Sequence, residues 1–450
     1  FFCAGELGEY AQPGLEAPPF HFQDPEAVAL HDEAFSGAEE SRALYRRIAE
    51  SAARLKATLY EVADRFQLDW IITQNAQAIP MQIALGAALR DFISETHIPT
   101  IGHHHDFYWE RERFIVNRIP DILLTAFPSE GTSTRHVVIS TAMQRELFIR
   151  RRLSATYVPN VFDFRNPPPP PDDYALTVRD ELGIAPDERL ILQPTRIVRR
   201  KNIERAVELV RQLSERDPRH RYVLVVTGYA GDESGSYYDW LLRQVATAGI
   251  RTLFIGDRIV ERRGVQDGRR TYTLWDIYPH ADFVTYLSSY EGFGNALIET
   301  LYFRKPLVVN AYTAYRSDIK PAGVRAVEIR EEVTPQTVHD VLALLDDPAE
   351  VARLVAHNYA VGQTHFSYEV LESLCRRERI GMRVISPEAD FLFSKAGLHD
   401  IAGISIYTPS RRRVDLAKRT IKRAFDIVVS SLCILLLSPI FISVAVATKL

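Results

Sequence analysis

Residues 167–171 are five consecutive prolines. A prolyl ring fixes φ and removes the N–H, so such a run enters neither a helix interior nor the middle of a sheet. We place a domain boundary there. On its N-terminal side, residues 24–66 are helical in tendency, with Leu44, Ile48, Ala52, Leu55 and Leu59 on one apolar stripe. Residues 69–75, 98–106 and 136–140 read as strands, 80–94 and 143–151 as helices, and 156–160 closes this half. On the far side, strands are predicted at 190–194, 222–228, 253–256, 283–287 and 307–310. Helices are predicted there at 203–214, at 240–248 and from Asn295 onward. Strands alternating with helices at this interval imply βαβ units and largely parallel sheets.

The expected fold class is therefore α/β, with two Rossmann-like doubly wound domains facing a cleft. Residues 1–165 form the first domain, 166–184 the proline-rich linker and 185–375 the second. With 450 residues, 46% hydrophobic and 25% charged, the chain has material for two sizeable cores. Its net charge of -4 offers no footprint for nucleic acid. Three scattered cysteines, Cys3, Cys375 and Cys433, form neither a disulfide framework nor a metal spacing, and point to a reducing compartment. Phe1-Phe2-Cys3-Ala4 looks like the inside of a strand, so the chain is expected to lack its true start.

Three clusters carry chemistry. The first is Glu291-Gly292-Phe293-Gly294-Asn295, between an apolar strand and a helix, with Glu299 eight residues after Glu291. That arrangement sets free backbone N–H groups and a positive helix end beside a carboxylate, where nucleotides and phosphorylated sugars bind in open α/β sheets. Glu291 is placed to bond a sugar hydroxyl, and Glu299 a ribose. The second is the turn from Arg196 to Lys201 after a strand, whose two cations would neutralise a pyrophosphate and its growing charge as a leaving group. A solvated basic turn is the plainer alternative. The third is His103-His104-His105-Asp106 at a strand end. His103 and His105 share a face there, as a metal site would need, but no third ligand is identifiable. One of these histidines would orient a hydroxyl in the cleft, or they merely cap the strand.

Arg196 with Lys201, Glu291-x7-Glu299 and Gly292-Phe293-Gly294 resemble glycosyltransferase family 4, the retaining GT-B enzymes. The likeness extends through 138–140, Val158-Pro159-Asn160 and 365–368, over roughly residues 65–375. It implies that Arg196 and Lys201 grip a donor diphosphate. It gives the transferred sugar to Glu291 and the amides of Phe293 and Gly294, counts Gly292 and Asn295 among the donor-binding residues, and gives the ribose to Glu299. His105 matches the family histidine, although His103 and His104 leave that register open. The resemblance further implies front-face displacement without a protein nucleophile, and no metal or other cofactor. The family's first strand and glycine-rich loop have no counterpart in the sequence.

Beyond residue 375, a connector (376–413) leads to a basic stretch and then an apolar run at 427–447 with Pro439 in its middle. Basic residues at both ends, with a central Ser438-Pro439, suit a helix that dips into a bilayer and returns. Lys422, Arg423, Phe425, Asp426, Ser438 and Pro439 resemble the opening of a monotopic phosphoglycosyl transferase, whose catalytic pair would lie past Leu450. Residues 414–450 are thus expected to sit on membrane lipid at the cytoplasmic face of a bacterial inner membrane. The combined expectation is a nucleotide-sugar-dependent glycosyltransferase of glycan assembly whose acceptor is a polyprenyl-diphosphate-linked sugar. Two alternatives stand beside it: a small soluble acceptor with the tail as anchor, and a non-catalytic nucleotide-sugar-binding scaffold.

Overall fold

The structure is a computed structural model that describes residues 2–7, 14–229, 235–377, 398–401 and 404–407. Described residues up to 377 belong to one compact unit; the hairpin at 398–407 belongs to a second. In the first unit, β1 (Phe2–Ala4) and β2 (Gly14–Glu16) form a small parallel pair. Strands β3 (Ile71–Gln74), β4 (Thr100–His104), β5 (Thr134–Val138) and β6 (Ala155–Tyr157) then make a four-stranded parallel sheet in chain order.

The second sheet is built from β7 (Glu188–Gln193), β8 (Arg221–Val226) and β9 (Arg251–Phe254), with a hairpin of β10 (Gly264–Gln266) and β11 (Arg269–Thr271) interrupting. It continues through β12 (Phe283–Tyr286), β13 (Leu307–Asn310) and β14 (Val327–Ile329). All six paired strands are parallel, in the order β14-β13-β12-β7-β8-β9. Counted from β7, the order reverses between β7 and β12. A doubly wound sheet opens its ligand crevice at such a switch point, outside the carboxyl ends of the two strands. The basic turn follows β7, and the Glu291 turn follows β12.

Helices cover both faces of this sheet, so its strands read as unbroken apolar runs rather than alternating ones. Leu190, Ile191 and Leu192 are fully buried, as are Val223 to Val226. The amphipathic helix Ile203–Arg216 packs Ile203, Ala206, Val207, Val210 and Leu213 onto one face. A separate cluster runs from Val138, Ile139 and Met143 of the first half through Phe164 to Tyr286, Phe293 and Phe366 of the second. The two halves thus share a core as well as a cleft. Polar links reinforce it: Asp318 accepts from the Thr141 N–H at 3.1 Å, and the Phe162 N–H donates to the Phe366 carbonyl at 2.8 Å.

Several boundaries shift from the sequence expectation, each for a local reason. The strand at 98–106 ends at His104, so His105 and Asp106 lie in the turn beyond it. Ser140 is not in a strand; its hydroxyl caps the helix Thr141–Arg151 by accepting from the Met143 N–H at 3.2 Å. Gln82 similarly caps Ile83–Thr96, which starts later than Pro80. The hairpin of β10 and β11, strand β14, and the helices Pro335–Leu345 and Pro348–His365 carried no prior assignment. The expected basic and apolar tail, including Lys422, Arg423, Phe425, Asp426, Ser438 and Pro439, lies outside the described residues. Among the described residues no helix is long and apolar enough to cross a membrane.

Candidate active site

A cleft of ≈ 490 Å³ lies between the carboxyl ends of the two sheets. Its lining brings together His105, Arg196, Lys201, Glu291, Gly292, Phe293, Gly294, Asn295 and Glu299. His103 and His104 do not line it. His104 is buried, with its Nε2 3.0 Å from Nδ1 of His136 beneath the sheet. His103 and His105 sit on one side of the strand end, 4.6 Å between ring centroids, and both reach the Gln74 side-chain oxygen. His104, the last residue of β4, thus turns into the core, while His105 in the turn beyond reaches the cleft. Burial lowers the basicity of both, more strongly for His104.

On the opposite wall, Glu291 is clasped by two cations. Lys201 bonds its Oε1, and Arg200 Nη1 donates to its Oε2 at 2.9 Å. Burial alone would raise the Glu291 carboxyl, but Lys201 and Arg200 outweigh it and hold the group below the ordinary range. Burial lowers Lys201, and the neighbouring Arg200 and Arg196 push the same way against the pull of Glu291. Arg196 is exposed on the cleft lining. Glu291 thus shares the cleft lining with Arg196, Arg200 and Lys201, of which Arg200 and Lys201 bond it. The turn itself therefore carries more positive charge than Glu291 offsets. Sequence reasoning named Arg196 and Lys201 but missed Arg200, which nothing in the spacing distinguished from Arg199.

The Gly-Phe-Gly turn is shaped by its neighbours on both sides. A Cβ on Gly292 would stand 2.1 Å from the His105 carbonyl oxygen, so glycine lets the two walls meet. Gly294 has φ of +126°, and a Cβ there would stand 2.3 Å from the Tyr312 hydroxyl oxygen. That hydroxyl donates to the Phe293 carbonyl at 2.7 Å. Phe293 itself is core, packed near Phe366, so its backbone and not its ring serves the cleft. Asn295 opens the helix Asn295–Tyr302 and accepts from the Asn160 amide across the domain crossing. One helical turn further in, Glu299 is raised by burial, and Tyr278 donates to it at 3.3 Å. A carboxyl sheltered in this way accepts well from a diol.

The wall that carries His105 holds further residues, of which the sequence singled out Asp106 but not Asn75 or Arg111; nor did it single out Tyr290 of the cleft lining. Asn75 takes the His105 N–H on its Oδ1 and gives its amide to Asp106, each at 2.8 Å. Asp106 is also bound by Arg111, and both line the cleft together with Tyr290. Among the described residues one group has metal-ligand spacing, Asp217 with His220 and Asp346, away from this cleft. Its carboxylates are already held by Arg189 and Arg219.

Comparison with known proteins gives this geometry its setting. The mannosylglucosylglycerate synthase of Thermotoga maritima is 34% identical over 336 residues, covering 69% of this chain and 76% of that protein. The mannosylglucosylglycerate synthase of Petrotoga mobilis is 30% identical over 349 residues, covering 73% and 79%. Among solved structures, Anabaena HepE in complex with UDP and glucose superposes with a TM-score of 0.55 at 17% identity, covering 74% of this chain and 82% of that one. A glycosyltransferase from Rickettsia africae superposes at 0.54 and 13% identity, with the same two coverages of 74% and 82%. These two likenesses identify the fold as GT-B. Residues 176–359, which include the basic turn and both glutamates, match the family described as glycosyl transferases group 1. With that match and a relative at 34% identity over most of its length, the chain belongs to the group 1 glycosyl transferases.

Proposed function

We propose that this chain is a retaining, family-4-type enzyme that moves a hexose from a nucleoside-diphosphate sugar to a small soluble acceptor bearing a glycerate unit. The observation that carries the reading is the Glu291 carboxylate held by Lys201 and Arg200 at the sheet's switch point. An ionised carboxylate locked beside surplus positive charge has one face for sugar hydroxyls and a neighbouring one for a diphosphate. Arg196 and Lys201 bind the diphosphate and stabilise it as it leaves. Glu291 with the Phe293 and Gly294 backbone holds the sugar, and Glu299 the ribose. The anomeric C–O bond to phosphate breaks as the acceptor oxygen bonds to the same face. The acceptor proton passes to the departing phosphate oxygen. His105 orients the acceptor hydroxyl from the opposite wall. This scheme assigns the protein no nucleophile and no metal.

The acceptor class rests on the names of the two relatives, whose product contains glycerate. The polyprenyl-linked acceptor expected from the tail draws its support from residues 422–450, outside the described residues. The test is a transfer assay with GDP-mannose and UDP-glucose against glycerate, glucosylglycerate and a polyprenyl-diphosphate sugar. Transfer to glucosylglycerate that is lost in Glu291→Ala supports the reading. Transfer confined to the lipid-linked acceptor, or unaffected by Glu291→Ala, overturns it.

A further inference from the structure

Arg111 belongs to the acceptor-side wall, yet it stands beside a residue of the donor-side wall. Its guanidinium is bound by Asp106, which is itself held by Asn75. Arg111 also acts on the Tyr290 hydroxyl, which burial holds above its ordinary range against the pull of the guanidinium, and Tyr290 acts on Arg111 in return. Both Arg111 Nε and the Tyr290 hydroxyl are buried, and neither completes a hydrogen bond at ordinary distance. Buried donors without partners are uncommon and call for a physical reason. Arg111 and Tyr290 line one cleft and interact, which makes each the available partner of the other.

The two ends of this contact reach the chemistry directly. On the acceptor side, Asn75 ties Asp106 to the His105 N–H. On the donor side, Arg200 donates to the Tyr290 carbonyl at 3.2 Å and to Glu291 at 2.9 Å. Building on the proposed function, we propose that Arg111 is a positioning residue. It bridges Asp106 and Tyr290 across the cleft and sets the His105 loop in register with the Glu291 loop for transfer. It touches neither the sugar nor the phosphate in this role.

Displacing reacting groups by about 1 Å costs roughly 10²-fold in rate, so the expected kinetic signature falls on turnover. In Arg111→Ala, kcat with GDP-mannose or UDP-glucose should fall by about 10²-fold while donor KM stays within about threefold. Tyr290→Phe keeps the ring and its packing, and should lower kcat in the same direction. The double variant should be no slower than Arg111→Ala, because both changes break one link. Thermal unfolding supplies a readout independent of turnover. The double variant's loss in Tm should be smaller than the summed single losses by about 1–2 °C. Additive Tm losses overturn the bridge whether or not transfer is observed. Non-additive Tm losses with kcat unchanged overturn its positioning role. A wild-type chain that transfers sugar from neither donor refutes the proposed function instead and leaves the bridge to the Tm result.

Discussion

The carbonyl oxygen of His105 lies where a side chain on residue 292 would begin: a Cβ built on Gly292 comes within 2.1 Å of it. The obstructing atom is backbone, so it cannot swing aside. Gly292→Ala is therefore expected to prise the two walls apart at the reaction centre while leaving each sheet intact. Transfer activity should fall by about 10²-fold or more with little loss of secondary structure. A paired measurement of kcat/KM and circular dichroism checks this.

Lys201 holds Glu291 in its charged form against the effect of burial. Replacing it in Lys201→Met leaves a buried carboxylate with Arg200 alone. The Glu291 carboxyl then follows its burial and rises. The acidic limb of the kcat/KM profile should move to higher pH, and kcat/KM at neutral pH should fall by about 10²–10³-fold. A pH–rate profile of the variant beside wild type shows whether the limb moves.

Gly294 and Tyr312 should be coupled. An alanine at position 294 would meet both an unfavourable φ of +126° and the Tyr312 oxygen at 2.3 Å. Gly294→Ala is expected to cost about 2–4 kcal/mol, of which the backbone part is about 1–3. Tyr312→Phe removes the blocking oxygen and also its bond to the Phe293 carbonyl. Denaturant unfolding of the double variant should show less destabilisation than the two singles summed, because removing the oxygen relieves the clash that Gly294→Ala creates.

Stability should fall on mild acidification. Burial lowers His136 to about 4 and lowers His104 as well, whereas both titrate near 6.5 once unfolded. Between those values the unfolded chain binds more protons, so stability is full above pH 6.5 and drains as pH falls toward 4. Each histidine contributes up to about 1.4 kcal/mol per pH unit in that window. His136→Gln should flatten the dependence of Tm on pH there. Glu110 works in the other sense: burial raises it to about 7, so the unfolded state releases its proton first and stability falls as pH rises toward 7. Glu110→Gln should raise Tm at pH 8 and leave it nearly unchanged near pH 4.

Much of the architecture was legible because parallel strands covered on both faces must be apolar throughout. Leu190 to Leu192 and Phe283 to Tyr286 announce themselves in that way, and the cationic and acidic turns stand directly after them. Strand β14 was missed because three residues carry no period, and the hairpin of β10 and β11 because its residues are largely polar and exposed. The site was legible where chemistry is local to one turn, as with Glu291 and Lys201. It was illegible where two distant segments meet. No one-dimensional pattern pairs Arg111 with Tyr290, or shows that Gly292 is small because of His105. The histidine run was ambiguous in sequence because the strand ends inside it: His104 closes β4 and turns inward, and His105 lies in the turn at the cleft.

The surplus of positive charge around Glu291 has a consequence for turnover. In the proposed reaction these cations meet a diphosphate that takes up the acceptor proton as the sugar leaves and gains a further negative charge once that proton is released. The spent nucleotide is therefore expected to bind this wall more tightly than the donor did. Nucleoside diphosphate should act as a strong competitive inhibitor against donor, with Ki below the donor KM, and added salt should relieve it. Escape of this product, rather than formation of the glycosidic bond, would then set the pace of the catalytic cycle.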